Sequence, residues 1–263
     1  MDIYRLHQGD APLIVSMPHV GTHLPARVAD TMTPIARHVV DTDWHVDRLY
    51  DMAAAMGATT IAATHCRYAV DLNRAPDNRP LYAGADNTEL VPLTTFDREP
   101  IYLPGQEPDE TEVARRVSDY WKPYHDRLAA EIARLRENHE RVVLWEGHSI
   151  RSHVPRFFEG RLPDFNLGTG GGASCDAGLA ARIEAEAAAN NAFTSVMNGR
   201  FKGGYITRQY GQPARGVHAI QLELSQITYM EEDLPFRYLP ETAAPTKVLI
   251  GRLLEVALEW AKG

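Results

Sequence analysis

The stretch Leu13-Ile14-Val15-Ser16-Met17-Pro18-His19-Val20-Gly21-Thr22-His23 decides how the rest of the chain reads. An apolar run of strand length breaks at a Pro-His-x-Gly turn, so a short buried strand delivers His19 at its carboxyl end. Open α/β sheets bind ligands outside the carboxyl ends of their strands, and histidine is the commonest metal ligand and a frequent general base. His19 is therefore the first candidate for chemistry. The ordinary alternative is a histidine that only caps a turn, so the question for the rest of the chain is whether other strand ends bring partners.

Working outward, Pro25 can open a helix reaching towards His38, and Asp43 can cap a second helix carrying Val46, Leu49, Tyr50 and Met56 before Gly57 stops it. Thr59 to Thr64 and Tyr68 to Leu72 read as short strands, the second closing on Asp71-Leu72-Asn73-Arg74. From Ala75 to Pro108 the chain is crowded with Pro, Asp, Asn and Gly, with apolar pieces at Leu81-Tyr82, Leu90-Val91 and Ile101 to Leu103. A loop of that length inside a compact domain is usually a lid or a binding loop. Glu110 to His139 has helical spacing that Pro123 should kink or divide. Val142 to Glu146 is a buried strand that hands over Gly147-His148-Ser149, repeating the arrangement at His19.

Further on, Gly170-Gly171-Gly172 lacks the Gly-Lys-Ser/Thr ending of a phosphate loop and reads as a turn. Asp176 can cap an alanine-rich helix to Ala189, Thr194 to Met197 reads as a strand, and Gly203 to Arg208 as a turn leading into a strand. Val217 to Leu224 is the last strong strand, and Pro245 to Ala261 a closing amphipathic helix. Strands alternating with helices predict an α/β fold of three layers, αβα, around a mixed, largely parallel sheet. With no repeat and no dividing linker, residues 1–263 read as a single catalytic domain with a loop insertion at about 75–108.

The composition, 44% hydrophobic and 24% charged, is that of an ordinary globular protein. A net charge of −8 and a pI near 5.8 argue against nucleic acid as a partner, so an anionic substrate needs local positive charge from a metal or from arginines. Cys66 and Cys175 are too few and too far apart for a disulfide framework or a cysteine metal cluster, which suits a reducing cytoplasm. No segment approaches the ~18 apolar residues of a membrane span, and the amino terminus lacks a secretory pattern.

His19 and His148, both at strand ends, together with Asp43 at a helix entry, make a three-ligand set that leaves a position for water, as in a catalytic zinc site. Asp47, one turn beyond Asp43, is an alternative acid, and His23, four residues beyond His19, a further alternative ligand. Simple helix capping is the competing account of Asp43. Glu223 shares a strand face with Gln221, and an acid on an otherwise buried strand is costly unless paired or functional; the competing account is an edge strand with one face in water. Arg74 and Arg208 suit a small anionic dicarboxylate substrate, because guanidinium groups bind carboxylates bidentately. Tyr205 stands in the same Gly-Gly-Tyr turn as Arg208 and joins them as a binding candidate.

The blocks Ser16-Met-Pro-His19-Val-Gly21, Asp41-Thr-Asp43-Trp-His-Val-Asp47, Tyr68-Ala-Val-Asp71-Leu-Asn73-Arg74, Gly147-His148-Ser149, Phe201-Lys-Gly203-Gly204-Tyr205-Ile-Thr-Arg208 and Glu223-Leu-Ser225 with Tyr229-Met230 cover most of the chain in order. In them the chain resembles the N-formylglutamate amidohydrolases, or deformylases, of bacterial histidine degradation, and more distantly the zinc carboxypeptidases and aspartoacylases. The resemblance implies a zinc-exopeptidase-like fold, one zinc ion, and hydrolysis of N-formyl-L-glutamate to formate and L-glutamate. It implies His19 and His148 as ligands, Asn73 and Arg74 as a carboxylate clamp, and Glu223 as general acid/base. The distant relatives carry their acidic ligand three residues after the first histidine. Here Thr22 stands there, so Asp43 or Asp47 supplies the acid from the following helix. Three other readings compete. One is an amidohydrolase of another N-acyl amino acid or short peptide, and one a non-catalytic small-molecule binding protein. The third, a thiol hydrolase on Cys66 beside His65, is disfavoured because adjacent strand residues face opposite ways.

Overall fold

The fold was analysed in a computed structural model that describes residues 1–81, 84 and 86–263; Tyr82, Ala83 and Ala85, and with Tyr82 half of the apolar pair at 81–82, lie outside the described residues. Seven strands form one sheet: β1 (Tyr4–His7), β2 (Leu13–Met17), β3 (Thr59–Ala63), β4 (Val142–Ile150), β5 (Phe165–Gly168), β6 (Ser195–Met197) and β7 (Val217–Ser225), in the order β1-β3-β2-β4-β7-β5-β6. The central four, β3, β2, β4 and β7, are parallel, while β1 runs antiparallel to β3 and β5 antiparallel to β7. The sheet is thus mixed and largely parallel, with helices on both faces, as the alternation of elements requires.

Side-chain alternation sets what each face does. Leu13, Val15 and Met17 of β2, Val143 and Trp145 of β4, and Ile220, Leu222 and Leu224 of β7 pack with α2 (Val46–Leu49), α5 (Ala177–Ala189) and α7 (Pro240–Lys262). Each such side chain removed from water contributes about 1.5–3 kcal/mol, so this face carries much of the stability. On the other face Ile14, Leu144 and Ala219 meet α4 (Lys122–Arg136) near the amino ends of the strands. Towards the carboxyl ends that face turns polar: Ser16 sits opposite Glu146, Glu146 opposite Gln221, and His148 opposite Glu223, all buried. Buried polar and charged groups in register across three central strands cost stability, which marks the place as one kept for chemistry.

Several local expectations are corrected. Tyr68 to Leu72 is no strand: Ala69 N–H bonds Cys66 O, Asp71 Oδ1 accepts from Asn73 N–H and Asp71 O from Arg74 N–H, giving successive turns. The edge of β3 on which such a strand would have paired is taken by β1. Gly203 to Arg208 turns into a helix, α6 (Tyr205–Tyr210), entered through Gly204. The helix expected from Pro25 to His38 shrinks to α1 (Ala26–Ala29) and a single turn at Ala36–His38. Pro123 neither ends nor divides its helix: α3 (Glu110–Arg116) runs through a widened π-type turn, Val117–Trp121, into α4, and the wider turn relieves the clash of the proline ring with the carbonyl four residues back. β4 runs four residues past Glu146, so His148 lies within the strand, and α7 begins at Pro240, whose fixed φ suits a helix start. From 75 to 108 no helix or strand occurs among the described residues, and Asp176 caps α5 as expected, accepting from Gly178 and Leu179 N–H.

Candidate metal centre and its cavity

His19 follows β2 by two residues, and its carbonyl accepts the Asp43 N–H at 3.0 Å, so the chain returning from residues 20–42 is fastened to the strand end. His45 opens α2 in the left-handed conformation (φ 63°), and Asp43 makes no cap bond there. Its carboxylate turns the other way. Oδ2 accepts from Ser149 N–H at 3.2 Å and lies 3.1 Å from His148 Nδ1 and 3.7 Å from His19 Nδ1. The helix-capping account of Asp43 is thereby set aside. One nitrogen or oxygen from each of His19, Asp43 and His148 falls within 4.8 Å of the others, and all three residues are buried. The alternatives separate from them: Asp47 is paired with Arg5 at the surface, and His23 packs its ring on His65.

Each imidazole is held from behind by a second carboxylate. His19 Nε2 lies 2.8 Å from Asp71 Oδ1, and His148 Nε2 lies 3.4 Å from Glu146 Oε2 and 3.1 Å from Asn73 Nδ2. Glu146 in turn accepts from Ser16 Oγ at 2.9 Å. Carboxylates behind histidine ligands fix ring orientation and raise basicity in metal sites. Burial disfavours charge on His148, but Asp43 and Glu146 outweigh it and push its pKa up to about 10. Burial likewise opposes ionisation of Asp43 and Asp71. His148 and His19 nevertheless hold Asp43 below the usual carboxylate range, and His19, Arg67 and Arg74 hold Asp71 well below it. The carboxylates thus hold positive charge where a divalent ion would stand, and a metal would displace that proton.

Whether the donors fit a metal can be judged from Asp43 itself. Its Oδ1 is buried, lies 3.7 Å from Arg67 Nη1, and accepts no hydrogen bond among the described residues. The ring nitrogens converge on Oδ2 of the same carboxylate, and a buried carboxylate with one oxygen left without a bond is costly unless a ligand takes it. Two imidazoles and one carboxylate are donors that suit zinc with an open coordination position.

Glu223 lies next to this cluster on β7, the central strand beside β4, so the edge-strand account fails. Gln221 Nε2 donates to its Oε2 at 3.1 Å. Burial raises its pKa to about 7, Asp43 adding to the effect while His148, Arg67 and Arg74 oppose it. A cavity opens over His19, His148 and Glu223, with Asn73, Arg74 and Arg67 also on its wall. Asn73 is clasped by the start of α6: Asn73 Oδ1 accepts from Ile206 N–H, and a Cβ on Gly204 would stand 2.2 Å from the Asn73 amide. Any larger residue would push the Asn73 amide out of its place. Arg74 donates to Thr88 O and Oγ1, which ties it to the long loop.

Arg208 and Tyr205 are placed elsewhere. They line a neighbouring pocket that shares Arg74 and Leu81 with the main one, and Arg208 donates to Gly203 O and Leu81 O. Residues passed over in the sequence are Arg67, Arg200 and Glu146. Arg67 donates to Asp71 Oδ2 at 2.7 Å, four residues on, and that Arg-x-x-x-Asp spacing was the available signal. Glu146 stood in the strand as an acid among apolar residues, the same signal that singled out Glu223. Cys66 is buried, with burial pushing its thiol up to about 12, which disposes of a thiolate nucleophile.

Comparison with known proteins identifies relatives of the whole chain. The sequence model of the N-formylglutamate amidohydrolase family matches residues 11–230. The chain is 51% identical over 261 residues to an N-formylglutamate deformylase of Pseudomonas aeruginosa, covering 99% of this chain and 98% of that one. It is 49% identical over 258 residues to an N-formylglutamate deformylase of Pseudomonas putida, covering 98% and 96%. The crystal structure of an N-formylglutamate amidohydrolase from Ralstonia eutropha superimposes with a TM-score of 0.85 at 26% identity, over 99% of this chain and 98% of the other. With a family match over most of its length and relatives that share half its residues end to end, the chain belongs to the N-formylglutamate amidohydrolase family.

Proposed function

We propose that this protein hydrolyses the formamide bond of N-formyl-L-glutamate to formate and L-glutamate, the deformylating step of histidine degradation in the cytoplasm, with one zinc ion held by His19, Asp43 and His148. The names of the relatives supply the activity. The observation that carries the chemistry is the pair of Nδ1 atoms turned onto one buried carboxylate with an unbonded oxygen. A zinc ion there supplies Lewis acidity for the formyl oxygen and lowers the pKa of water from 15.7 to about 7.

The chain's own residues do the rest. Glu223, a carboxylate with a pKa raised to about 7, is suited to take the proton of the attacking water and return it to the leaving amine. Arg67, fixed by Asp71, brings a permanent positive charge to the inner cavity wall, where negative charge develops on the formyl oxygen. Asn73 and Arg74 hold one substrate carboxylate, and Arg208 with Tyr205 stands at the adjoining pocket as a further contact for anionic substrate. Loop residues Thr88 and Phe96 line the same cavity, so the long loop forms part of its cover.

The test is metal content and formate release measured on one preparation. Stoichiometric zinc, and formate released from N-formylglutamate faster than acetate from N-acetylglutamate, are expected. A preparation that turns over no acylated amino acid, or one fully active without a divalent metal, overturns the reading.

A further inference from the structure

Gln221 and Glu223 lie two residues apart on β7, so strand alternation puts both side chains on the polar face of the sheet, and both reach the cavity wall. The two ends of the Gln221 amide are assigned by what they meet. Gly204 N–H can only donate, and it stands 2.7 Å from Oε1, so the carbonyl end of Gln221 faces Gly204. The NH2 end then faces Glu223 Oε2 at 3.1 Å and can only donate there. Oε2 is thereby taken as an acceptor. Among the described residues no group bonds Oε1 of Glu223, which stands in the wall of the cavity with His19 and His148.

The surrounding chain is shaped to hold this amide. Gly168 of β5 lies opposite Gln221 across the sheet, and a Cβ there would stand 2.6 Å from Gly203 N, so the backbone at 202–204 rests on the glycine and carries the Gly204 N–H down to the strand. The next residues of the same segment hold Asn73: Ile206 N–H donates to Asn73 Oδ1 at 2.9 Å and Tyr205 N–H to Asn73 O at 3.3 Å. One stretch of backbone at the entry to α6 therefore fixes the proposed carboxylate clamp and, through Gln221, the acid of β7. An amide bonded at both ends loses its rotamer freedom at folding, and the carboxylate it holds needs no reorientation during turnover.

We infer that Gln221 is the positioning residue of the general base: by holding Oε2 it leaves Oε1 of Glu223 as the oxygen that takes the proton of the attacking water and hands it to the leaving amine. The inference rests on the proposed hydrolysis and deepens it by naming what orients the base. One proton moves from water to Oε1 and from Oε1 to the amine nitrogen as the C–N bond breaks, while the Gln221 amide keeps both its hydrogens.

The test is a double-variant cycle in zinc-loaded protein, Gln221→Met and Glu223→Gln singly and together, with Gln221→Glu as a second probe and zinc content measured throughout. Gln221→Met keeps the length of the side chain and removes the donor. It is expected to lower kcat on N-formyl-L-glutamate about 10- to 100-fold, part of the about 10²–10⁴-fold that the base supplies, with KM within about twofold. In the Glu223→Gln background the same change should cost less than about twofold, because residues acting as a unit are not additive. Gln221→Glu keeps the shape and the acceptor for Gly204 and sets a second carboxylate against Glu223, so it should be no more active than Gln221→Met. Wild-type kcat in Gln221→Glu, equal losses with and without Glu223, or a rise in KM alone overturns the inference and leaves the hydrolase reading intact. The side-chain amide resonance of Gln221, assigned by its absence from Gln221→Met, gives a readout that needs no turnover. In proton–nitrogen correlation spectra it should move upfield in Glu223→Gln, where a neutral amide replaces the charged acceptor. A resonance that stays in place overturns the inference even in an active enzyme. A wild type that turns over no acylated amino acid overturns the hydrolase reading, and the resonance then still decides whether Gln221 orients Glu223.

Discussion

The molecule contains two pairs of histidine rings in nearly the same contact. His19 and His148 have centroids 4.9 Å apart, and His23 and His65 4.8 Å apart. They come together for different reasons. His23 and His65 are bridge partners: His23 N–H bonds Thr64 O and Cys66 N–H bonds His23 O, so the backbone alone sets the rings side by side. A Cβ on Gly21 would stand 2.2 Å from His65 O, which shows how closely these two segments run. His65 then stacks on Tyr120, and burial, followed by the neighbouring His23, pushes its pKa down to about 4. His19 and His148 share the Asp43 carboxylate in front and have Asp71 and Glu146 behind, and there the pKa of His148 moves the opposite way, to about 10. Two imidazoles in contact do not make a metal centre. A shared carboxylate adds the third donor that a metal would need, and among the described residues one cluster of His, Cys, Asp and Glu brings three such donor atoms within 4.8 Å of one another.

The sharpest way to break the contrast is to remove its defining group. Asp43→Asn or His19→Ala should abolish zinc retention and lower turnover on the order of 10⁴-fold or more, because carbonyl polarisation and water acidification go together. His23→Ala should keep full zinc content by mass spectrometry, and a loss of zinc in that variant would merge the two pairs into one site. Next in size, Glu223→Gln should lower kcat by about 10²–10⁴-fold with the metal still bound. A Glu223→Gln enzyme of undiminished rate would mean the proton is carried elsewhere. Smaller again, Asp71→Asn keeps His19, Asp43 and His148 and removes the charge behind His19 together with the ion pair to Arg67. Zinc affinity should fall about 10–100-fold in competition with a chelator. Unchanged affinity would show that Asp71 serves the fold through Arg67 and the turn at Asn73 and has no part in metal binding.

How much of this was legible in the sequence follows from what each feature depends on. Strands β2, β4 and β7 and helices α5 and α7 were readable because their apolar patterns and caps are local. The three clustered residues stood out for the same reason, lying where an apolar run breaks or a helix begins. Tyr68 to Leu72 has the composition of a strand, but strands need an edge, and the outer edge of β3 is taken by β1 (Tyr4–His7), which lies far off in sequence and outside anything the local pattern records. Asp43 looked like a cap because the sequence does not show His45 adopting a positive φ. Arg67 offered only its spacing to Asp71 as a signal and Arg200 none, since a surface arginine and a cavity arginine read alike until the walls are built. Arg208 was singled out by its motif and stands one pocket away.

The smallest expected effect concerns the pair without carboxylates, and it tests the electrostatic half of the contrast through stability. His65 has a folded pKa of about 4, below the ~6.5 of an unfolded histidine, so the unfolded chain binds more protons between those values. The stabilisation from a neutral His65 is therefore fully present above about pH 6.5 and is lost as the pH falls towards about 4. His65→Phe keeps a ring against Tyr120 and removes the titration. Its urea midpoint should vary less with pH over that window than the wild type's, by up to one proton in the slope, with the remainder coming from other buried groups such as His125, whose pKa burial also pushes down to about 4. If the two slopes coincide, His65 is not held neutral and the pairs differ only in their ligands. If they diverge as stated, the same ring contact leaves His65 neutral where carboxylates are missing while His148 is held charged where they are supplied, which makes the acids the cause of the difference.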